Sequence, residues 1–260
     1  MKLFSDYHSH PQGHRIQPYT PELLQPWVDS AREKGLREIA FTDHDRYHEG
    51  IDLDVLDLVR QANPDVALRA GIELDNDPQT GAAGLAWVEK NWDRLDFVLG
   101  SAHYLAGKDR MLDSADQTPQ FAERPLEEIC RDYIAQVEGM IARGHIDCLA
   151  HLDLVKIHGF RPEAPLLEFF DPLLQRIKKA GLAMEVNTAG WRKPVGEQYP
   201  EIPLLRRAVE LEIPITLSSD AHSHVQLAED YHRLPAVLEA AGVREIALYE
   251  KHRRTIVPLA

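Results

Sequence analysis

Short apolar runs alternate with helical patterns along the chain, and this alternation limits the fold more than any other feature. Strands that alternate with helices form parallel βα units. No linker or change of composition interrupts the series, and 260 residues is a usual length for one β/α barrel, so we predict a single closed barrel. The strand-like runs lie near residues 2–7, 37–42, 66–72, 95–101, 146–150, 182–187 and 213–219, and an eighth lies near 245–249.

The predicted helices have recognisable ends. Thr20 is a suitable N-cap, Pro21 suits the first helical position, and Gly35 follows the last turn of the first helix. The segment 104–124 is polar and aperiodic, so we predict a long loop over the barrel mouth. Further helices are predicted near residues 51–62, 125–143, 165–180 and 201–212.

The composition excludes several classes of protein. No run approaches the roughly 18 consecutive apolar residues of a membrane span, and the first residues lack the apolar segment of a secretory signal. Cys130 and Cys148 are too few for a disulfide framework, so we expect a cytoplasmic protein. The net charge of −13 disfavours nucleic-acid binding, although bound metal ions would still allow a small phosphorylated substrate. The oligomeric state is not indicated.

Histidine and carboxylate residues follow the predicted strands at the point where each strand ends. Because the carboxyl ends of barrel strands meet at one mouth, these side chains should converge. Six of the 13 histidines occupy such positions. The clusters are His8-Ser9-His10, Thr42-Asp43-His44, Gly71-Ile72-Glu73, Gly100-Ser101-Ala102-His103, Leu149-Ala150-His151 and Ser219-Asp220-Ala221-His222.

These residue types indicate a metal site. Neutral imidazole and carboxylate suit zinc, iron or manganese, and the lack of cysteine ligands favours a hydrolytic site over a closed structural one. His8 and His10 are two residues apart on a strand end, so their side chains point to the same side. Glu73 ends an apolar strand, where an unpaired carboxylate would be costly. Each cluster alone also fits a turn or a core residue, but together they predict one multinuclear site.

The ordered set of clusters resembles the PHP family, the polymerase-and-histidinol-phosphatase metallohydrolases. The segment 184–197 is similar to the signature of PHP-type histidinol-phosphatases, as are residues 98–103 and 151–156. The resemblance implies an α/β fold with a single distorted (β/α)7 TIM-like barrel over residues 1–260. It also implies hydrolysis of L-histidinol phosphate to L-histidinol and phosphate, by attack of a metal-bridging hydroxide.

The resemblance further implies two or three divalent ions (Zn, Fe or Mn). Glu73 would bridge the first two ions. His14 follows His10 more closely than the corresponding histidine of the family usually does. The implied ligands are His8, His10, Glu73 and Asp220 for the first ion, Glu73, His103 and His151 for the second, and His14, His44 and His222 for the third.

Catalytic residues are expected within the same set. Clustered ions lower the pKa of a bridging water and neutralise phosphate oxygens, so Glu73, Asp220 and His222 should take part in catalysis through the metals. Asp43 would be a metal ligand, a proton donor to the leaving alkoxide, or a partner that orients His44. We favour the orienting role.

Positive side chains should bind the phosphate. Arg192 and Lys193 follow the sixth strand, and a guanidinium group binds phosphate in a bidentate manner. Lys156, Arg161 and Arg110 are weaker candidates that we expect to face solvent. Three carboxylates are available for a cationic amino-alcohol such as histidinol: Glu197, Asp153 and Asp113.

Other functions remain open. A PHP phosphoesterase that acts on a nucleotide or sugar phosphate would need the same metal set. An amidohydrolase also carries His-x-His after its first strand, but it usually bridges two ions with a lysine, where this chain offers Glu73. A polymerase-associated domain is disfavoured by the acidic charge. The segment 184–197 favours the histidinol-phosphatase interpretation.

Overall fold

The computed structural model describes residues 3–259, and seven parallel strands form its barrel. Each strand pairs with the next in chain order, as sequential βα units require. Residue 2 of the first predicted strand lies outside the described part of the chain. The strands are β1 (Ser5–Asp6), β2 (Glu38–Phe41), β3 (Ala67–Asp75), β4 (Phe97–Ser101), β5 (Cys148–Leu149), β6 (Ala183–Asn187) and β7 (Ile215–Ser218).

Hydrogen bonds just beyond β1 join it to β7 and bring the barrel close to closure. The Tyr7 amide donates to the Leu217 carbonyl over 2.9 Å, and the His10 amide donates to the Ala221 carbonyl over 2.7 Å. Ser9 and Ala221 also form a parallel bridge. The predicted (β/α)7 barrel is therefore confirmed, with β1 and β5 only two residues long.

Eight helices are found between residues 3 and 259. The five predicted helices are present, and Thr20 caps the first by accepting a hydrogen bond from the Leu23 amide. Three helices were not predicted: α3, whose first turn contains two glycines, α4, within the expected long loop 104–124, and α8. The helices are α1 (Pro21–Glu33), α2 (Leu53–Ala62), α3 (Gly81–Asn91), α4 (Thr118–Glu123), α5 (Leu126–Arg143), α6 (Leu166–Ala180), α7 (Ile202–Glu210) and α8 (Leu234–Ala241).

The eighth strand-like run does not join the barrel sheet. Strands β8 (Glu245–Glu250) and β9 (Arg253–Pro258) form a separate antiparallel hairpin. Tyr249 of β8 packs against Phe97 at the start of β4, with ring centroids 5.0 Å apart. The Lys251 amide in the turn donates to Asp96, which directly precedes β4. The hairpin therefore closes the amino-terminal end of the barrel and leaves the opposite mouth free.

The core has two parts. Apolar faces of the helices pack around the outside of the sheet, and a smaller cluster that includes Tyr7, Leu99 and Cys148 fills the inside near the hairpin. Cys130 and Cys148 are both free and buried. Within residues 3–259, none of the helices has the length and apolar character to cross a membrane.

Candidate metal centre

Strand β3 and the loops that follow five other barrel strands bring the predicted ligands together at the carboxyl-terminal mouth. Glu73 lies on β3, where it is buried, and its two carboxylate oxygens face five imidazole rings, including that of His10, whose Nε2 lies 3.7 Å from Oε2. Its Oε2 atom lies 2.7 Å from His44 Nδ1 and 3.4 Å from His8 Nε2. Its Oε1 atom lies 3.3 Å from His151 Nε2 and 3.9 Å from His103 Nε2. A carboxylate in this position can bridge two ions.

Three groups of donor atoms are compact enough to hold a metal ion, with the atoms of each group within 4.8 Å of one another. One of them contains the residues implied by the resemblance for the second ion, and another contains three of the four implied for the first ion, without Glu73. The third combines His10 with His44 and His222, so His10 belongs to two groups. The groups are His8, His10 and Asp220; Glu73, His103 and His151; and His10, His44 and His222.

His14 occupies a different position from the other predicted ligands. It is exposed, whereas His10 and His44 are buried. Its ring lies 4.2 Å from the ring of His222 and 6.3 Å from that of His44. His10 takes the place in the third group that was expected for His14, because the chain between them turns outward at Gly13 with a φ of 63°. Metal ligation by His14 remains a prediction.

Buried carboxylates fix the orientation of two ligand rings. Glu185 on β6 accepts a hydrogen bond from His8 Nδ1 over 3.1 Å, and Asp75 on β3 accepts one from His103 Nδ1 over 2.9 Å. In each ring the other nitrogen, Nε2, is thereby left to face Glu73. Such partners set the tautomer and the basicity of a histidine ligand.

Glu185 was not among the predicted site residues, although it supports several parts of the centre. It accepts hydrogen bonds from the His151 amide over 2.7 Å, from Asn187 Nδ2 over 2.7 Å and from Ser218 Oγ over 2.6 Å. The sequence carried a signal for it, because Glu185 stands in an apolar strand as Glu73 does. The argument that a lone carboxylate there would be costly applies equally to both residues.

The buried donor atoms fit a bound cation. Buried polar atoms normally have hydrogen-bond partners, and each one without a partner costs ~1–3 kcal/mol. Several atoms of the cluster have none, and a divalent ion is the group that imidazole and carboxylate donors would satisfy together. These unpartnered atoms are His8 Nε2, His10 Nδ1, His151 Nδ1 and His222 Nε2.

The electrostatics favour the ligand form of three residues of the cluster, Glu73, His222 and His10, whereas nearby carboxylates outweigh burial and raise the pKa of His8 and that of His103, the latter to about 10. Burial raises the pKa of Glu73, but the neighbouring His44 and His8 outweigh it and hold the pKa well below its usual range. Burial, with His44 and His14 nearby, lowers the pKa of His222 to about 4 despite Asp220. Burial and the same kind of neighbours hold the pKa of His10 well below 6.5. The carboxylate is thus ionised, and these two rings are neutral at pH 7.

Asp43 does not orient His44, which corrects the role we favoured. Its Oδ1 accepts a hydrogen bond from the Gln12 amide over 2.9 Å, and its Oδ2 accepts one from the Tyr19 hydroxyl over 2.7 Å. Burial raises its pKa to about 7. Asp43 therefore holds the loop that carries His14, and a direct part in catalysis remains a prediction.

A cavity of about 330 Å³ opens onto the donor cluster, and both predicted phosphate-binding residues line it. Arg192 is fixed in place: it donates to the Ser219 carbonyl over 2.6 Å and pairs with Asp230 over 3.2 Å and Glu229 over 3.3 Å. Lys193 is exposed and has no ion pair within the described residues 3–259. The cavity thus places two positively charged side chains beside the donor cluster.

The weaker basic candidates do not line this cavity. Lys156 is buried rather than solvent-facing, because its ammonium group pairs with Asp153 and Glu197, each over 2.9 Å. Arg161 also pairs with Glu197. Arg110 is exposed and pairs with Asp116.

The barrel and its histidine–carboxylate cluster define a metallohydrolase-type centre, and the sequence comparison identifies the family. The PHP domain model matches residues 6–189, more than half of the chain, so this protein belongs to the PHP family. A probable histidinol-phosphatase of Deinococcus radiodurans is 32% identical over 247 residues, which cover 88% of this chain and 90% of that protein.

A solved structure supports the fold. The histidinol phosphate phosphatase of Lactococcus lactis, complexed with zinc, L-histidinol and phosphate, is 21% identical and superposes with a TM-score of 0.73. The match covers 97% of this chain and 98% of that chain. Nearly the whole chain therefore has a structural counterpart of similar size.

Proposed function

We propose that this protein is a metal-dependent phosphatase that hydrolyses L-histidinol phosphate to L-histidinol and phosphate. The observation that carries the proposal is one cavity lined both by the metal-donor cluster and by Arg192 and Lys193. Phosphate monoesters need several fixed positive charges, since their uncatalysed hydrolysis is extremely slow. The relatives from D. radiodurans and L. lactis support the choice of ester.

Two or three divalent ions would be held by the three donor groups, and Glu73 lies close to His8 and His44 of the other two groups as well as belonging to its own. The ions would supply an activated water and neutralise phosphate oxygens. Zinc, iron and manganese all suit these donors, and the zinc in the L. lactis complex makes zinc the preferred candidate among them. Filling of the third group depends on whether His14 joins His10, His44 and His222.

The chain's own residues would bind and orient the phosphate. Arg192 keeps one N–H group, on Nη2, in reserve, because its contacts to Ser219, Thr188, Asp230 and Glu229 use four of its five donors. Its bond to the Ser219 carbonyl also fixes the residue before Asp220, so the phosphate grip and the metal ligand are positioned together. Lys193 adds an unpaired charge at the rim.

A PHP phosphoesterase for a nucleotide or sugar phosphate is the alternative. An amidohydrolase is less well supported, because Glu73 stands where an amidohydrolase usually bridges two ions with a lysine. A nucleic-acid partner is not proposed for a chain of net charge −13. A cytoplasmic location is proposed because both cysteines are free and buried.

Phosphate release from the metal-loaded protein tests the proposal. L-histidinol phosphate would be compared with sugar and nucleotide monophosphates, with and without a chelator. We expect a chelator-sensitive preference for L-histidinol phosphate, and a loss of at least about tenfold in kcat/KM for Arg192→Ala, with exposed Arg206→Ala as control. Chelator-sensitive activity on other esters but not on L-histidinol phosphate would show that the proposed substrate is wrong. Inactivity on every phosphate ester would reject the proposed phosphatase activity.

A further inference from the structure

The cavity contains one carboxylate that the proposed reaction does not use. Glu73 and Asp220 belong to the donor groups, and the remaining acidic residue in the lining is Asp113. Its Oδ1 atom is buried and has no hydrogen-bond partner. Asp113 also has no ion-pair partner within residues 3–259. A buried, unpaired carboxylate oxygen on a cavity wall is costly unless a ligand satisfies it.

The other carboxylates suggested for a cationic substrate are already occupied. Glu197 pairs with Lys156 and Arg161. Asp153 is buried, pairs with Lys156 and accepts a hydrogen bond from the Glu201 amide over 2.9 Å. Neither of them lines the cavity. Tertiary contacts therefore leave Asp113 as the free negative group beside the site.

The backbone around Asp113 is fixed, although the surrounding loop is largely exposed. The neighbouring Leu112 is buried in the core. Its amide donates to the carbonyl of His103 over 2.6 Å, and its carbonyl accepts a hydrogen bond from His158 Nε2 over 3.0 Å. The backbone next to Asp113 is thus hydrogen-bonded, through Leu112, to His103, a predicted metal ligand. This contact fixes the position of the Asp113 backbone.

Apolar side chains complete this part of the wall. Met111, Leu154 and Ile157 line the same cavity as Asp113. Ligand sites commonly combine such an apolar surface with a few polar groups that fix orientation. The lining would suit a leaving group that has both an apolar body and a positive charge, while Arg192 and Lys193 suit its phosphate.

We propose that Asp113 binds the positively charged group of the substrate's leaving portion and makes the site selective for cationic phosphate monoesters. The inference rests on the proposed phosphatase function and adds the residue that distinguishes an amino-alcohol phosphate from a neutral one. Phosphate binding and metal binding need no such residue. Selectivity, rather than overall rate, is the property that Asp113 should control.

The test compares Asp113→Asn with wild type on two esters, L-histidinol phosphate and glycerol phosphate, whose leaving group, glycerol, carries no charge. For each protein, kcat/KM for L-histidinol phosphate is divided by kcat/KM for glycerol phosphate. This ratio should fall about 10- to 100-fold in Asp113→Asn, which is the contribution of a hydrogen bond to a charged group. The change should appear chiefly in KM. Asp109→Asn, an exposed change on the same loop, is the matched control and should keep the ratio. An unchanged ratio in Asp113→Asn would overturn the inference.

Calorimetric binding of L-histidinol, without phosphate, separates this inference from the proposed function. Wild type should bind L-histidinol about 10- to 100-fold more tightly than Asp113→Asn. If wild type hydrolyses neither ester, the phosphatase proposal fails, and this binding difference still decides the role of Asp113. Equal affinities would reject that role. Thermal unfolding of both variants checks that they are folded.

Discussion

In the metal centre, two predicted ligands are each oriented by a hydrogen bond to a second residue. His8 and His103 each use Nδ1 on a buried carboxylate, so Nε2 is the nitrogen left for a metal. Without Glu185 and Asp75, either ring could rotate or change tautomer. The precision of the site therefore depends on residues that do not touch a metal.

Glu185→Gln tests this dependence. The change keeps the volume but removes the charge that faces His8, so we expect metal affinity to fall about 10- to 100-fold, with activity falling at limiting metal. Competition with a chelator of known affinity would measure it. Glu168→Gln, on the exposed face of α6, is the control. Equal metal affinity in Glu185→Gln and wild type would show that the ring orientation is fixed by packing alone.

Whole elements hold the centre through close packing. Helix α3 lies against the short turn Asp45–Gly50, which follows the His44 ligand. Gly84 makes this possible: a Cβ there would overlap the Asp45 carboxylate and lie 2.7 Å from Asp45 Cβ. Asp45 cannot easily move, because it is buried and accepts a hydrogen bond from the Asp75 amide.

Replacing glycine with alanine at two different positions should therefore have opposite effects on the free energy of unfolding. Gly84→Ala is expected to destabilise the fold by about 1–3 kcal/mol through overpacking. Gly139→Ala, in α5 with open space around it, should stabilise by up to about 1 kcal/mol through helix propensity. Denaturant unfolding of both variants would measure the difference. Similar free energies for the two would mean that α3 adjusts freely to the added methyl group.

The β8–β9 hairpin carries an ion pair that should make its docking depend on pH. His252 stacks on Trp92 with centroids 3.7 Å apart, and its Nδ1 lies 2.8 Å from Asp147. Burial lowers the pKa of His252, but Asp147 outweighs it, and the net pKa is raised. Since the folded pKa exceeds the unfolded value of about 6.5, this stabilisation is full below pH 6.5 and is lost as the pH rises through the folded pKa.

Asp147→Asn would reveal this dependence. We expect the melting temperature of wild type to exceed that of the variant, and the difference to be larger at pH 6 than at pH 8.5. The ion pair is partly exposed, so its contribution to the free energy of unfolding should be at most about 1 kcal/mol. Comparing the two proteins at each pH cancels contributions from other titrating groups. Parallel pH profiles would place the stabilising effect of His252 in its stacking on Trp92 alone.

At the scale of the whole molecule, the donor cluster gathers residues from distant parts of the chain at the mouth of the barrel. Donor residues come from positions as far apart as His8 and His222, on six different strand ends. The β1–β7 closure is made by only a few hydrogen bonds beside these ligands. Ions bound there would therefore link the first and last barrel strands as well as serve the reaction.

Metal removal should lower the stability of the entire barrel. A ligand at 100 times its Kd stabilises the folded state by about 2.7 kcal/mol, which corresponds to roughly 5–10 °C in a protein of this size. We expect that drop in melting temperature after chelation, reversed by zinc or manganese. Calorimetry would measure it. Identical melting temperatures with and without metal would argue against a centre that bridges the barrel strands.

The sequence by itself determined the barrel, the strand ends and most of the ligand types. Those features follow from local patterns, since alternating strands and helices form one kind of sheet and the carboxyl ends of its strands must meet. His8, Glu73 and Asp220 could be predicted as ligands for that reason, and the structure places each of them in a compact donor group. The missed helix α3 begins with glycines, whose weak helix propensity concealed it until packing stabilised it.

Only the tertiary structure decided which groups face one another. It gave His10 a place in two donor groups, turned Asp43 toward Tyr19, and placed Glu185 behind His8. It also paired β8 with β9 at the base of the barrel instead of adding it to the sheet. These outcomes depend on contacts between segments far apart in the chain, and no local pattern specifies where a side chain finds its partner.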